Sequence, residues 1–235
     1  MSSYTYKAES PMVLHNGDSM NQKEFHRLYL QQNENFKAEL LDGTVFVCEP
    51  LSEPHGGIHP RLSSIFDAYA ASIPGIQTYI EPTVILSDAD EVQPDLVLRI
   101  LPNFKGQTSD VWYRRGKKFE RGPFIKGAPE LVAEIAYSSR SVDLHLKRRR
   151  YESAGVLEYI VVCLEQQNLL WFDLAHESQV LEKEDGIFRS KVFPGFWIHE
   201  QGLFDMDYKL VMDTVHMGSC TVEHQEFVKE LKSRR

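Results

Sequence analysis

"PELVAEIAYSSRSVDLHLKRRRYESAGVLEYIVV", residues 129–162, decides the fold. Its two apolar runs, "PELVAEIA" and "LEYIVV", read as strands, bounded by turn residues and containing the Val and Ile that pack well on a pleated surface. Between them "SVDLHLKRRRYESAG" has helical spacing and ends on Gly155, where a C′ glycine closes a helix. One residue is out of place. Glu134 sits in the middle of the first strand, and the anomaly recurs upstream in "VQPDLVL" (92–98), where Asp95 follows a proline and precedes an apolar run.

Working outward, Ser19 is a candidate cap for a helix over roughly 21–32. "FKAELLDGTVFVCEP" reads as a hairpin turning at Asp42-Gly43. "SEPHGGIHP" reads as a loop, and "RLSSIFDAYAAS" as a helix stopped by Pro74-Gly75. "QTYIEPTVILS" and "VQPDLVLRI" are strand-like, and residues 100–128 form a basic connection. "NLLWFDL" pairs with "LEYIVVCL", "GIFRSKVFPGFWI" adds a strand, and "TVEHQEFVKEL" makes a closing helix. There is no internal repeat and no linker. The expectation is an extension over 1–18 followed by one α/β domain over 19–235, a central mixed β-sheet flanked by α-helices.

With 42% hydrophobic and 26% charged residues, the composition is that of an ordinary globular protein. No apolar run reaches the ~18 residues that span a bilayer, so no membrane partner is expected. The N-terminus lacks the charged-then-apolar export pattern, so a cytoplasmic protein is expected. Cys48, Cys163 and Cys220 are far apart and form no CxxC pair, which argues against a zinc ribbon or a disulfide framework. The chain carries −8 overall, yet Arg99 to Arg150 holds 13 Lys and Arg against five acids. That asymmetry suits a phosphate-facing surface; a solvated loop and helix would look the same.

An ionised carboxylate among Val and Leu is costly unless a metal or a cation pairs it. Asp95 and Glu134, on two apolar strands, would repel each other without a divalent cation between them. Hard oxygen ligands suit Mg²⁺ or Mn²⁺ rather than zinc. Glu39 in "AELLDG" is a third candidate ligand, whereas Asp42 is explained by its turn. At 100° per residue, Leu144, Lys147, Tyr151 and Ala154 fall within an arc of about 80°. Arg148, Arg149, His145 and Glu152 point elsewhere, so one lysine of "KRRR" faces the apolar side and can reach a buried anion. Carboxylates, a metal and a lysine are parts for hydrolysing a phosphodiester bond.

"ELLDG", "PHGG" before a helix, "PDLVL", "GAPELVAEIAYSS" and "DLHLKRRRYESAGVLEYIVV" follow one another in an order that resembles the Uma-two family of restriction endonucleases. That family belongs to the PD-(D/E)XK nuclease superfamily, and the resemblance covers about residues 20–232. It implies a restriction-endonuclease-like core with Asp95 and Glu134 as metal ligands and Glu39 as the early acid. The superfamily's lysine two residues after the second acid is here Ala136; Lys147, 13 residues on, matches a lysine the family carries in the following helix. "YSSR" replaces a serine-proline-serine run.

His55 matches a histidine frequent in the family and, with Tyr151, is a candidate substrate contact. His55 and His59 are four apart, but two glycines and a proline argue against a helical zinc pair. Arg114, Arg115, Lys117 and Lys118 alternate with aromatics over 104–124, either to stack bases and neutralise phosphates or as an edge hairpin whose rings pack on the body. Ser138 and Ser139 lack a histidine–acid partner, which excludes a serine hydrolase. Two functions follow. One is a Mg²⁺- or Mn²⁺-dependent endonuclease on nucleic acid, DNA first, working as a homodimer that cuts both strands. The other is a non-catalytic nucleic-acid-binding or interaction protein that keeps the fold.

Overall fold

The computed structural model describes residues 13–48, 50, 52–115, 118–137 and 141–234, with side chains left aside over 112–121. In chain order the elements are α1 (Gln22–Tyr29), β1 (Ala38–Leu41), β2 (Thr44–Val47), α2 (Glu53–Ala70), β3 (Ile76–Ile80), β4 (Val84–Ser87), β5 (Asp90–Val92), β6 (Leu96–Ile100), β7 (Ser109–Arg115) and β8 (Lys118–Lys126). β9 (Leu131–Ala136) leads into a π-helical turn (Val142–Lys147) that runs directly into α3 (Arg148–Ala154). Then come β10 (Glu158–Cys163), β11 (Asn168–Asp173), β12 (Gln179–Val180), β13 (Ile187–Arg189), β14 (Trp197–His199), α4 (Glu200–Phe204), α5 (Tyr208–Ser219) and α6 (Val222–Ser233).

Two six-stranded sheets carry the architecture, ordered β2-β1-β5-β4-β8-β7 and β12-β11-β10-β9-β6-β3. The second is the mixed central sheet expected of the 129–162 segment. β9 and β10 pair in parallel through the α3 crossover, and β6 pairs antiparallel with β9. Side-chain alternation along its strands then sorts two cores. Leu131, Ala133 and Ile135 face the cluster built from α2, β14 and α4–α6. Val132 and Ala136 face the opposite cluster, with Tyr151 of α3 and with Leu41, Val84 and Val92 of the first sheet. Glu134 shares parity with Val132 and Ala136. It therefore points into the layer between the sheets.

The strand read through "VQPDLVLRI" is two strands. β5 belongs to the first sheet and β6 to the second, and the chain crosses between them over Gln93-Pro94-Asp95. A proline has no N–H to lend a ladder, so it fits this break. The "HGGIHP" loop is also corrected: α2 runs unbroken from Glu53 to Ala70 with Pro60 inside it. Two glycines and an interior proline oppose a helix by several kcal/mol. Burial of Ile58, Leu62, Ile65, Phe66 and Tyr69 and capping by Ser52 outweigh them. Asn21, not Ser19, caps α1, accepting from the Glu24 N–H at 3.0 Å. The 100–128 connection contains the β7–β8 hairpin, and the "FWI" segment is a separate β13–β14 hairpin. α5 was not anticipated.

The basic stretch does not present a uniform cationic face. Arg99 is fully buried, its guanidinium 4.8 Å from the Tyr79 ring centroid and bonded to Thr108. Arg148 lies over Phe172 at 4.9 Å. Arg150 holds buried Asp90 through two bonds, Nε to Oδ1 at 2.8 Å and Nη2 to Oδ2 at 2.6 Å, and reaches Asp42 at 3.0 Å. It thereby clamps α3 onto two turns of the first sheet.

Glu158, at the start of β10, anchors the 190–192 turn: its Oε2 accepts from Ser190 Oγ at 2.7 Å and its Oε1 from the Lys191 and Val192 N–H groups at 2.6 and 3.2 Å. Burial pushes its carboxyl up to about 6 despite these donors. The folded state thus binds its proton more tightly than the unfolded chain. Its stabilisation is complete below about pH 4.5 and is lost as pH rises through about 6, a change of roughly 2 kcal/mol. Glu158→Gln keeps an acceptor for the backbone donors, so urea unfolding is expected to show a flatter pH profile between 5 and 7 and greater stability than wild type at pH 7.5. Parallel profiles for the two proteins would refute this.

Candidate metal and catalytic site

A cleft of about 580 Å³ opens between the sheets, lined among others by Glu39, His55, Asp95, Glu134, Asp143 and Lys147. Each comes from a different local device. Glu39 is the second residue of β1, set by the tight turn at Asp42 (φ 52°) and Gly43 (φ 74°). Asp95 sits at the crossing between sheets. Extending the β6–β9 register one step beyond Leu96↔Ala133 places Asp95 opposite Glu134. Like charges directly opposite on two strands are destabilising, so this pairing demands compensation.

Lys147 supplies much of it. Its ammonium lies 2.7 Å from Glu39 Oε2, 3.0 Å from Glu134 Oε1 and 3.6 Å from Asp143 Oδ1. Glu39 Oε1 also accepts from the Gln93 N–H at 2.7 Å, and Glu134 Oε1 from the Tyr151 hydroxyl at 2.8 Å. Asp95 uses both oxygens, Oδ1 towards His55 Nε2 at 3.0 Å and Oδ2 accepting from the Ile135 N–H at 2.7 Å. His59 Nε2 lies 3.3 Å from the Asp95 carbonyl oxygen.

Among the described residues, Lys147 stands against Glu39, Glu134 and Asp143, with Asp95 beside them in the cleft. Burial pushes the Glu134 carboxyl well above its ordinary value; the attraction of Lys147 opposes this, and Asp143, Asp95 and Glu39 add to the rise. Burial alone would lower Lys147, but Glu134 and Glu39 outweigh it and hold the ammonium charged. For Asp95 the order reverses. Burial raises it, but the His55 bond, the Ile135 N–H and Lys147 together bring it below the usual carboxylate range. The donor set is hard and anionic, which fits a divalent cation.

The residues named from the sequence meet here in part. Glu39, Asp95, Glu134 and Lys147 converge. His55 lines the cleft but is 5% exposed and engaged with Asp95. Tyr151 is turned away from substrate contact: it is 1% exposed, and its hydroxyl is committed to Glu134 from below. The backbone of Arg114, Arg115 and Lys118 lies in the hairpin at the far edge of the first sheet from β1, and their side chains, like Lys117, fall outside the described residues. Ser138 and Ser139 fall outside them too.

Two groups were not singled out from the sequence. Asp143 is 2% exposed; its place four residues before Lys147 was the available signal. His59 was set aside with the presumed loop, yet His55, His59 and Asp95 are the group, among the described residues, whose ligand atoms all lie within 4.8 Å of one another.

The family model described as "Putative restriction endonuclease", Uma2, matches residues 22–203. Among solved structures, the fold is similar to a protein from Anabaena variabilis described as "a putative nuclease belonging to DUF820", with a TM-score of 0.58 and 16% identity over 76% of this chain and 96% of that one. No curated protein matches. Among the described residues no helix is long and apolar enough to cross a membrane. Helices α5 and α6 lie beyond the matched segment, and everything that builds the cleft lies within it: the chain belongs to the Uma2 family of restriction-endonuclease-like proteins.

Proposed function

We propose that this protein is a Mg²⁺- or Mn²⁺-dependent endonuclease that hydrolyses phosphodiester bonds in DNA. The observation that carries this is the convergence of Glu39, Asp95 and Glu134 on one cleft with Lys147 as the cation among them. In this reading the three carboxylates hold the metal. A bound divalent cation lowers the pKa of water and neutralises charge on the phosphoryl oxygens.

The chain's own residues do the rest. Lys147, kept charged by its acidic neighbours, offers a preorganised positive group to the charge that develops at phosphorus. Tyr151 and the Gln93 N–H fix the free rotation of Glu134 and Glu39, and the Ile135 N–H fixes Asp95. Lys37, paired with Glu81 at the cleft rim, is a cation placed for a flanking phosphate. Two copies of the site, one per strand, make a homodimer the simplest assembly for cutting a duplex.

Plasmid and oligonucleotide DNA incubated with Mg²⁺, Mn²⁺ or EDTA should be cut only with metal. Asp95→Ala and Glu134→Ala should each lower the rate by more than about 100-fold, the upper range seen for outer-shell partners of a metal. A wild type that neither cuts any nucleic acid nor takes up Mn²⁺ in calorimetry would leave a non-catalytic binding protein. A stability measurement checks the charge argument separately. Lys147→Met strands the buried acids and should cost about 3–5 kcal/mol without metal. Mn²⁺ should raise the melting temperature of that variant more than that of wild type, since the ion replaces the missing charge; an equal or smaller rise would show that the ion does not take over the lysine's charge.

A further inference from the structure

We propose that His55, His59 and Asp95 form a second metal position, one that takes a nitrogen-preferring dication such as Zn²⁺ or Co²⁺ and shares Asp95 with the carboxylate site. The inference rests on Asp95 being a metal ligand, but not on catalysis.

The geometry begins with α2. Residues four apart on a helix lie on one face, a turn apart, so the continuity of α2 through "HGGIHP" brings His55 and His59 together. Their ring centroids are 5.4 Å apart and the planes are inclined at 70°. Both Nε2 atoms are directed at one residue, 3.0 Å from Asp95 Oδ1 and 3.3 Å from its carbonyl oxygen. Three different side chains therefore bring ligand atoms within 4.8 Å of one another. Tetrahedral zinc with bonds of about 2.0–2.2 Å needs ligand separations only somewhat shorter than that upper bound, a change within side-chain reach.

His55 is 5% exposed; among the described residues its Nδ1 has no hydrogen-bond partner, and Nε2, facing Asp95 Oδ1 at 3.0 Å, is the nitrogen placed to ligate.

The donor set also decides the kind of ion. Two imidazoles and one carboxylate favour zinc and its first-row neighbours, whereas the all-oxygen set of Glu39, Asp95 and Glu134 favours Mg²⁺ or Mn²⁺. Sharing Asp95 would place the two positions side by side, as in sites where paired ions are bridged by a carboxylate.

Titration of the full-length protein with Co²⁺, followed by visible absorption, tests this without any activity assay. Wild type is expected to develop the d–d bands of a low-coordinate ion, with exchangeable imidazole N–H resonances shifted by the paramagnetic centre in the proton spectrum. His59→Ala should lose those bands and weaken Co²⁺ binding by at least 10-fold while still binding Mn²⁺, and Glu134→Ala should do the reverse. Absence of shifted imidazole resonances in wild type overturns the proposal even if the variants fail to fold. Co²⁺ bands that survive His59→Ala but vanish in Glu134→Ala overturn it too, while leaving the carboxylate site and the nuclease reading intact. A wild type that forms the Co²⁺ site but takes up no Mn²⁺ would instead sink the nuclease reading.

Discussion

The charge of one buried lysine holds this architecture to a single arrangement. Lys147 reaches Glu39 on the first sheet, Glu134 on the second and Asp143 one turn behind it. Ion pairs this deep gain little net stability over an apolar core, because desolvation consumes most of the attraction. Their effect is on specificity: any register that moved one partner would leave an unpaired charge in a dry layer. The parallel β9–β10 pairing, the α3 crossover and the β1–β2 hairpin must all be correct before that condition is met.

The π-helical turn ahead of α3 is the local adjustment that makes this possible. Over Val142–Lys147 the wider turn lets Asp143, Leu144 and Lys147 all be buried while α3 continues with Tyr151 inward and Arg148 and Arg150 directed to Phe172 and Asp90. Lys147, Arg148 and Arg150 of "KRRR" thus serve three separate surroundings.

The acid in an apolar strand, the acid just before one and the inward lysine were readable from the sequence because burial of an unpaired charge is so unfavourable that its exceptions stand out. The central strands, the crossover and the hairpin were readable for the same kind of reason: apolar periodicity and turn chemistry agreed. The failures came where local and tertiary terms oppose each other. "HGGIHP" has the propensities of a loop, and only the burial of Ile58 and Leu62, known once the fold is known, makes it helix. Asp143 fell just outside an arc drawn with ordinary helix geometry. The partition of "VQPDLVLRI" between two sheets, and the burial of Arg99 and the pairing of Arg150 with Asp90 inside a stretch that looked like a cationic surface, depend on contacts remote in sequence.

The crossing at Gln93-Pro94-Asp95 has a mechanical consequence. It is a short covalent bridge between the two sheets, and it lies beside the cleft. Glu39 moves with one sheet and Glu134 with the other, while Asp95 is tied to β6 and, through the Ile135 N–H, to β9. Widening the cleft therefore stretches Glu39 away from Asp95 and Glu134, with the bridge as hinge. In the proposed function, a polymer between the sheets would act as a lever on ligand spacing, coupling grip to chemistry.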